Sequence, residues 1–468
     1  MSIATEAARP AAARPTANAL LSAPIVPTLL RLSLPNLLGM LATALVAIAE
    51  TAYVGQLGTT SLAGLALVFP IVMLQQMMSS GAMGGGVSSA IARALGAGQD
   101  SRAASLAVHA MIIGLIGGLA FSAIMLAGGG GIFALLGGRG PALDAALTYA
   151  NVVFFGSVAV WLTNTLASIC RGTGNMKVPS ATLLATAILQ VLLGGALGFG
   201  FGPIPRLGIA GIALANVIAF GFGTAFLLWF LTSSRARVRL SFKNFTPEPE
   251  IFRDILRVGV LACVSPLQTV LSILILARLV SEFGPEALAG YGIGARFEFM
   301  LVPFSFAVGV ACVPMVGMAI GAGEVARARR VAWAGGIISA VVSGVVGIIV
   351  TLQPDLWARL FTTEPAVLEA TRTYFMCVGP AYGFFGLGLC LYFASQGAGK
   401  VLGPVLAGTA RLIAIAAVGW WLAFTGAPTW QLFALVGVAM TGYGILTALA
   451  IWLVPWERAK TQLPDDSA

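Results

Sequence analysis

The chain has 468 residues, of which 58% are hydrophobic and only 9% are charged, and its mean hydropathy is +0.95. Soluble globular domains carry roughly 25% charged residues, so a soluble enzyme, a disordered protein and a nucleic-acid-binding protein are all disfavoured. Long unbroken apolar stretches, without the alternation of a β-barrel, predict an α-helical protein that crosses a membrane many times.

Twelve apolar segments follow an N-terminal tail at 1–26. The tail is rich in Ala and Pro and lacks an apolar core with a cleavage site, so we interpret it as cytosolic rather than as a signal peptide. The second and eighth segments exceed the roughly 20 residues that cross a bilayer. We interpret each as one bent helix, because Pro70 and a glycine cluster interrupt the second, and Pro303 and Pro314 the eighth. The predicted spans are 27–54, 59–95, 102–126, 142–168, 178–201, 207–232, 250–280, 285–321, 327–352, 365–395, 403–424 and 429–454.

Basic residues predict the orientation of these segments. If the N-terminus is cytosolic, most of the 26 Lys and Arg residues fall on the cytosolic side, as the positive-inside rule requires. This pattern predicts a multi-pass protein of the plasma (inner) membrane with both termini in the cytoplasm. It also accounts for the net charge of +9 without an acidic ligand. A basic, proline-containing linker at 233–249 separates an N-lobe (27–232) from a C-lobe (250–454), and a second cytosolic tail follows at 455–468.

Several short motifs of the first half recur in the second half at a constant distance along the sequence. This distance, which separates positions 96 and 321, is called the repeat offset below. Landmarks that recur at this offset are the Gly-Ala-Gly turns at 96–98 and 321–323, Tyr149 and Tyr374, and Arg102 and Arg327. Six helices in each half mean that both halves enter the membrane in the same sense, as in transporters that alternate access between two lobes. The predicted fold is therefore an all-α integral membrane protein with twelve transmembrane helices in two six-helix lobes related by a parallel repeat.

Three loop motifs resemble those of the multidrug and toxic compound extrusion (MATE) transporters, in their bacterial and archaeal (DinF-like) branch. They are Gly55-Gln56-Leu57-Gly58 after the first segment, Cys170-Arg171-Gly172-Thr173-Gly174-Asn175 after the fourth, and Gln396-Gly397-Ala398-Gly399 after the tenth. The resemblance extends over roughly residues 27–455 in matching order and spacing. It implies a secondary antiporter that exports amphipathic, often cationic compounds against an inward flow of H⁺ or Na⁺.

Of the 17 acidic residues, only Glu50 and Glu298 fall well inside predicted spans. A charge in the middle of a bilayer costs about 2.5–3.5 kcal/mol or more, so a carboxyl kept there is either protonated or paired. Physical reasoning leaves two alternatives for Glu50: a proton or cation acceptor, or a carboxyl that reaches water near the outer interface. The resemblance favours the first, because MATE proteins usually carry an Asp at this place.

The resemblance also implies polar companions for Glu50 on the fifth and sixth segments. Gln190 falls where relatives have Asn, Gly194 where they have Asp, and Asn216 where they have Thr. Gly194 has no side chain, so the site offers one carboxylate, whereas a hard cation such as Na⁺ prefers several oxygens. We therefore expect coupling to H⁺ rather than Na⁺, through Glu50, Gln190 and Asn216.

Five further residues are candidates for the substrate cavity. They are Met73, Met77, Arg296, Glu298 and Arg411. Methionine suits promiscuous binding surfaces, and the other three are the charged side chains deep inside the C-lobe spans. Four of the five have a plainer alternative: core- or lipid-facing packing for the methionines, a structural polar contact for Glu298, and snorkelling to the interface for Arg411.

The sequence predicts neither a metal site nor an enzyme. It has one histidine and no paired cysteines, and its Gly-rich loops lack the Gly-Lys-Ser/Thr of an ATP-binding P-loop. We expect no cofactor, no nucleic-acid partner and no ATP, and a monomer that takes a small-molecule substrate and an ion gradient as its energy source. A flippase for lipid-linked precursors, which would need more basic cavity residues, and an intramembrane lipid enzyme remain as alternatives.

Overall fold

Twelve helical spans form the protein in a computed structural model that describes residues 20–201, 203, 205–242 and 245–456. Most of the predicted tails 1–26 and 455–468 lies outside the described residues. Eleven described spans are helices long and apolar enough to cross a membrane, and the fourth reaches that length as a bent pair. The spans are α1 Ile25–Gln56, α2 Thr59–Gly96, α3 Asp100–Leu135, α4 Gly140–Phe155 with Ser157–Gly172, α5 Lys177–Phe199, α6 Gly208–Thr232, α7 Pro249–Ser281, α8 Pro285–Gly321, α9 Val325–Leu352, α10 Pro365–Ala398, α11 Leu402–Phe424 and α12 Thr429–Leu453.

The two longest predicted segments are single spans, as expected. In α2 the irregularity is a π-helical segment at Met77–Met83 rather than a break at Pro70. The hydroxyls of Ser79 and Ser80 donate to the carbonyls of Gln75 and Gln76, at 2.8 and 2.7 Å, at the start of this segment. The other long span, α8, runs as one α-helix through both of its prolines.

Helix α3 extends well beyond its predicted end at 126, to Leu135, through four consecutive glycines. Glycine weakens a helix in water, where the backbone can bond to solvent instead. Inside a bilayer every backbone N–H and C=O must find a partner within the protein, and a helix supplies one for each. The glycine run therefore stays helical in this protein.

The bend in α4 was not predicted from the sequence. Its two halves meet at Gly156 at an angle of 47°. The hydroxyl of Ser122 in α3 donates to the carbonyl of Phe154 at 2.5 Å, which satisfies an acceptor at the bend. The equivalent place in the second half, one repeat offset later, is a 3₁₀ turn at Gly379–Ala381 in α10. The repeat therefore extends to the irregular turn in the middle of each lobe.

Each lobe has its own apolar core. One N-lobe cluster joins side chains from α1, α2, α3, α4 and α6, among them Val54, Leu65, Phe133, Val153 and Ile212. A C-lobe cluster joins α7, α8, α10, α11 and α12 through Leu279, Tyr291, Phe375, Ile415 and Phe433. The linker after α6 lies against the N-lobe, where the backbone N–H of Glu248 donates to Nε2 of His109 at 3.0 Å.

The lobes meet at one end of the bundle, which we call the terminal face because α1 begins and α12 ends there. Residues 81–92 of α2 and 309–320 of α8 are buried without interruption. By contrast, the Thr59–Gln76 half of α2 makes far fewer contacts with the C-lobe. The lobes are therefore closed against each other at the terminal face and diverge from there.

Glycines make this closure possible. A Cβ atom on Gly96 would fall against the carbonyl oxygen of Met318, and one on Gly321 against the carbonyl oxygen of Arg93, both across the lobe boundary. The guanidinium of Arg93 donates to the carbonyl of Gly397 at 3.3 Å. Small residues at a helix crossing let two backbones approach closely, which is a main source of helix association in lipid.

We expect Gly321→Ala to prevent full closure of the terminal face, because its methyl group would need space that the backbone at Arg93 occupies. Overpacking of this kind costs about 1–3 kcal/mol. Spin labels at Ser101 and Arg253, in a background without native cysteines, should report a longer distance than in the parent. Gly292→Ala on the same helix, with no neighbouring atom within 4 Å of its Cβ, should leave the distance unchanged. An unchanged distance in Gly321→Ala would contradict the role given to this contact.

Candidate functional site

Glu50 lies in α1 and its carboxylate accepts a hydrogen bond from the hydroxyl of Tyr149 in α4. Tyr149 is 2% exposed, whereas Glu50 is half-buried. A small pocket of ≈ 10 Å³ lies beside the carboxylate, about the space that one water-sized ligand needs. The pocket is lined by Val46, Glu50, Tyr53, Gln190, Val191, Gly194 and Ile212.

Two of the predicted companions of Glu50 lie in its pocket. Gln190 and Gly194 are one helical turn apart on α5, and both line it. A Cβ at Gly194 would lie 3.5 Å from Cδ2 of Tyr53, in ordinary van der Waals contact with the tyrosine ring. At the position where the resemblance predicts a missing second carboxylate, the pocket is therefore bordered by the aromatic ring of Tyr53.

Asn216, the third predicted companion, is not among the residues that line this pocket. It is on α6, one turn beyond the pocket-lining Ile212, and is 8% exposed. Its Oδ1 is buried and has no hydrogen-bond partner among the described residues. A buried carbonyl oxygen without a partner is an unused hydrogen-bond acceptor on α6.

Tyr149 is the residue of this candidate site that sequence reasoning missed. Its recurrence as Tyr374 at the repeat offset was visible, but nothing in the sequence showed that it reaches Glu50. A tyrosine hydroxyl can donate to a carboxylate, and it retains its own proton at neutral pH. The pair can therefore hold Glu50 in place while leaving the carboxyl free to gain or lose a proton.

The predicted C-lobe residues divide into two places. The carboxylate of Glu298 accepts hydrogen bonds from Tyr374 at 2.5 Å and from Tyr382 at 3.3 Å. Arg411 faces the same region from α11, with its guanidinium 5.4 Å from the ring centre of Tyr443. Arg296 is exposed and stacks over the ring of a loop residue, at 5.7 Å. The structure thus brings Glu298 near Arg411 and not near Arg296.

The π-helical segment of α2 carries a second group of polar side chains that the sequence did not single out. The amide of Asn164 in α4 donates to the hydroxyl of Ser79 at 2.8 Å and to Oε1 of Gln76 at 3.3 Å. Gln396 in α10 reaches Gly85 across the lobe boundary, and both polar atoms of its amide are buried without partners among the described residues. Met73 and Met77, on the same stretch of α2, are half-buried.

Within the described ranges, no group of three or more His, Cys, Asp or Glu side chains is arranged to hold a metal ion. The side chains around Glu50 provide a single carboxyl and hydrogen-bonding groups.

The fold and the site together define a membrane transporter built from two repeated helical lobes, with a carboxyl pocket inside one of them. The family model MatE matches the chain twice, over residues 35–195 and 262–421, which follows the internal repeat. The chain therefore belongs to the MATE transporter family.

Relatives and solved structures agree with this assignment. A "FAD transporter" of Shewanella oneidensis is 27% identical over 81% of this chain and 83% of its own length. A "Probable multidrug resistance protein NorM" of Deinococcus radiodurans is 31% identical over 67% and 68%. A MOP superfamily transporter from Pyrococcus furiosus shares the fold with a TM-score of 0.84 at 23% identity, over 93% of this chain and 96% of that one.

We expect a hydrophobic carbodiimide, which modifies protonated carboxyl groups, to label Glu50 in the purified protein. Labelling should accelerate as the pH falls from about 8 to 5, because only the protonated carboxyl reacts. Peptide mass spectrometry locates the modified residue, and the exposed Asp144 on α4 serves as the internal control. Labelling of Glu50 that does not change with pH would show that the carboxyl does not exchange its proton in this range.

Proposed function

We propose that this protein is a secondary active efflux antiporter, which exports amphipathic or cationic compounds in exchange for H⁺ by alternating access. The observation that carries the proposal is the Glu50 pocket, where a carboxyl inside the N-lobe is held by Tyr149 and flanked by Gln190. Family membership supports transport, and relatives named multidrug resistance and multidrug export proteins support drugs as one substrate class.

The choice of H⁺ over Na⁺ rests on the donors around Glu50. Sodium needs several oxygen ligands to replace its hydration shell. The pocket has one carboxylate and the amide of Gln190, while Gly194 and the ring of Tyr53 supply no carboxylate on the opposite wall. A proton needs only the carboxyl oxygen, so the single carboxylate favours a proton.

Helix α1 connects the pocket to the rest of the molecule. It packs against α5 in its own lobe and also against α8 in the C-lobe, and Pro35 removes one backbone hydrogen bond in its N-terminal half. In the proposed cycle, protonation removes the negative charge of Glu50, α1 shifts against α5 and α6, and a bound cation loses its counter-charge. Deprotonation on the other side of the membrane restores the site.

Orientation and substrate contacts belong to the same proposal. The basic residues favour a cytoplasmic terminal face, so the closed state described here corresponds to access from the outside.

Met73 and Met77 on α2 are proposed to contact the apolar part of the substrate, because both are half-buried, just before and at the start of the polar π-helical segment. Substrate contacts at Arg296 and at the Glu298–Arg411 group are also proposed. A lipid-linked-precursor flippase is less favoured, since few cations lie inside the spans.

We expect Glu50→Gln to abolish coupled export while expression and thermal stability in detergent stay near those of the parent. Glutamine keeps the size of the side chain and the acceptor for Tyr149 but cannot titrate. Drug resistance in a pump-deficient host, scaled to the amount of protein in the membrane, is the measurement. Asp144→Asn, a change at an exposed acid of the same lobe, should keep parental resistance. Full resistance in Glu50→Gln would refute the role of this carboxyl.

We expect drug uptake into everted vesicles, which corresponds to export from the cell, to follow a pH gradient and not a Na⁺ gradient, because the pocket has one carboxylate. Each gradient is imposed alone, with a protonophore or a Na⁺ ionophore as the control that dissipates it. Export driven by Na⁺ alone, without a response to the pH gradient, would show that ligands outside this pocket bind the coupling ion.

A further inference from the structure

The C-lobe holds a carboxyl–tyrosine pair of its own, which the exchange at Glu50 does not use. Tyr374 and Tyr382 both donate to Oε1 of Glu298, and both tyrosines are fully buried. Glu298 itself is half-buried, as Glu50 is. Both acids thus combine a buried tyrosine anchor with a half-buried position on a membrane-spanning helix.

The two tyrosine anchors occupy equivalent positions in the repeat, whereas the two acids do not. Tyr149 in α4 and Tyr374 in α10 are separated by the repeat offset. The position equivalent to Glu50 in the C-lobe is Ile275, and the position equivalent to Glu298 in the N-lobe is Met73. The repeat-related tyrosine therefore donates to a carboxyl from α1 in the N-lobe and to a carboxyl from α8 in the C-lobe. Because the two acids come from non-equivalent sequence positions, their presence at equivalent tyrosines points to a chemical need for one carboxyl in each lobe.

The groups that face Glu298 leave it able to take up a proton. Tyr374 and Tyr382 face it from α10, Tyr291 from its own helix α8, and Arg411 from α11. Arg411 makes no ion pair with it within 4.0 Å in the described part of the chain. The guanidinium lies instead over the rings of Phe385 and Tyr443, and its Nε is buried without a hydrogen-bond partner among the described residues. No cation in direct contact therefore holds the carboxylate in its charged form.

We propose that Glu298, held by Tyr374 and Tyr382, is a second proton-binding carboxyl, so that each lobe carries one and a transport cycle exchanges two protons. The proton adds to a carboxyl oxygen of Glu298 from the aqueous side and leaves to water on the other side. The tyrosines keep their own protons throughout, so no other group changes its covalent state. The step rests on the proposed proton-coupled exchange for its place in the cycle, but the protonation itself does not require transport.

Infrared difference spectroscopy of the full-length protein in lipid nanodiscs tests the site directly, because a protonated carboxyl has its own C=O stretching band. Titration between about pH 5 and pH 9 should change two such bands in the parent. Glu50→Gln should lose one band, Glu298→Gln the other, and the double variant both. Glu286→Gln, at an exposed acid of the same helix, should keep both bands.

Tyrosine variants distinguish a proton site from a merely structural carboxyl, and they apply even if Glu298→Gln fails to fold. Tyr374→Phe should move the titration midpoint of the Glu298 band and leave that of Glu50 unchanged, because the hydrogen bond it removes reaches only Glu298. Tyr149→Phe should move the titration midpoint of the Glu50 band and leave that of Glu298 unchanged. In the parent, substrate addition at low buffer capacity should release two protons, and in Glu298→Gln one.

Two results would overturn this inference. One is a parent protein with a single titrating band that disappears in Glu50→Gln, which would mean that Glu298 stays in one protonation state. The other is a band that Tyr374→Phe and Tyr149→Phe shift equally. Either result leaves export coupled to Glu50 intact, whereas loss of pH-driven efflux with both bands present would overturn the proposed function and not the second site.

Discussion

The close contact of α2 and α8 at the terminal face is the interaction on which the rest of the arrangement depends. In a bilayer, lipid is as apolar as the helix surface, so helices associate through close packing and polar contacts rather than through water exclusion. Gly96 and Gly321 let the backbones touch there, and an ion pair between Arg102 and Asp254 joins the lobes nearby. While this end is closed, the Thr59–Gln76 half of α2 makes few contacts with the C-lobe.

Within each lobe the acid is positioned by a buried tyrosine rather than by a cation. A cation in contact would hold the carboxyl in its charged form through the cycle, whereas a neutral hydroxyl supports either state. Ion pairs of the described chain lie instead in loops and at helix ends. There Arg372 lowers the pKa of Asp355, in the short turn before α10, to about 2. The same residue types thus form ion pairs at the surface, whereas the acids within the spans are bonded to tyrosine hydroxyls.

The sequence predicted the lobes, the family and the two interior acids, because each leaves a local or periodic signal. Hydrophobic length predicts spans, the constant repeat offset predicts paired halves, and an acid inside an apolar run stands out. The bend at Gly156 and the tyrosine anchors were not predictable in this way, since a tyrosine in a helix gives no indication of which side chain it meets. The C-terminal end of α3 was predicted too early for a physical reason. Glycine destabilises a helix in water, where the backbone can form hydrogen bonds with solvent, but lipid offers no such alternative partners.

The two arginines near the start of α9 have a consequence for how the chain assembles. Arg327 donates to the carbonyls of Leu20 and Ala23 just before α1, and Arg329 donates to those of Trp452 and Val454 after α12. These contacts attach both ends of the described chain to a helix that is synthesised well after the first lobe has left the ribosome. Helix α1 can pack against α5 as soon as the first lobe is in the membrane, but the segment just before it acquires these bonds only after α9 has been inserted. The N-terminal end of α1 is therefore completed by a part of the second lobe.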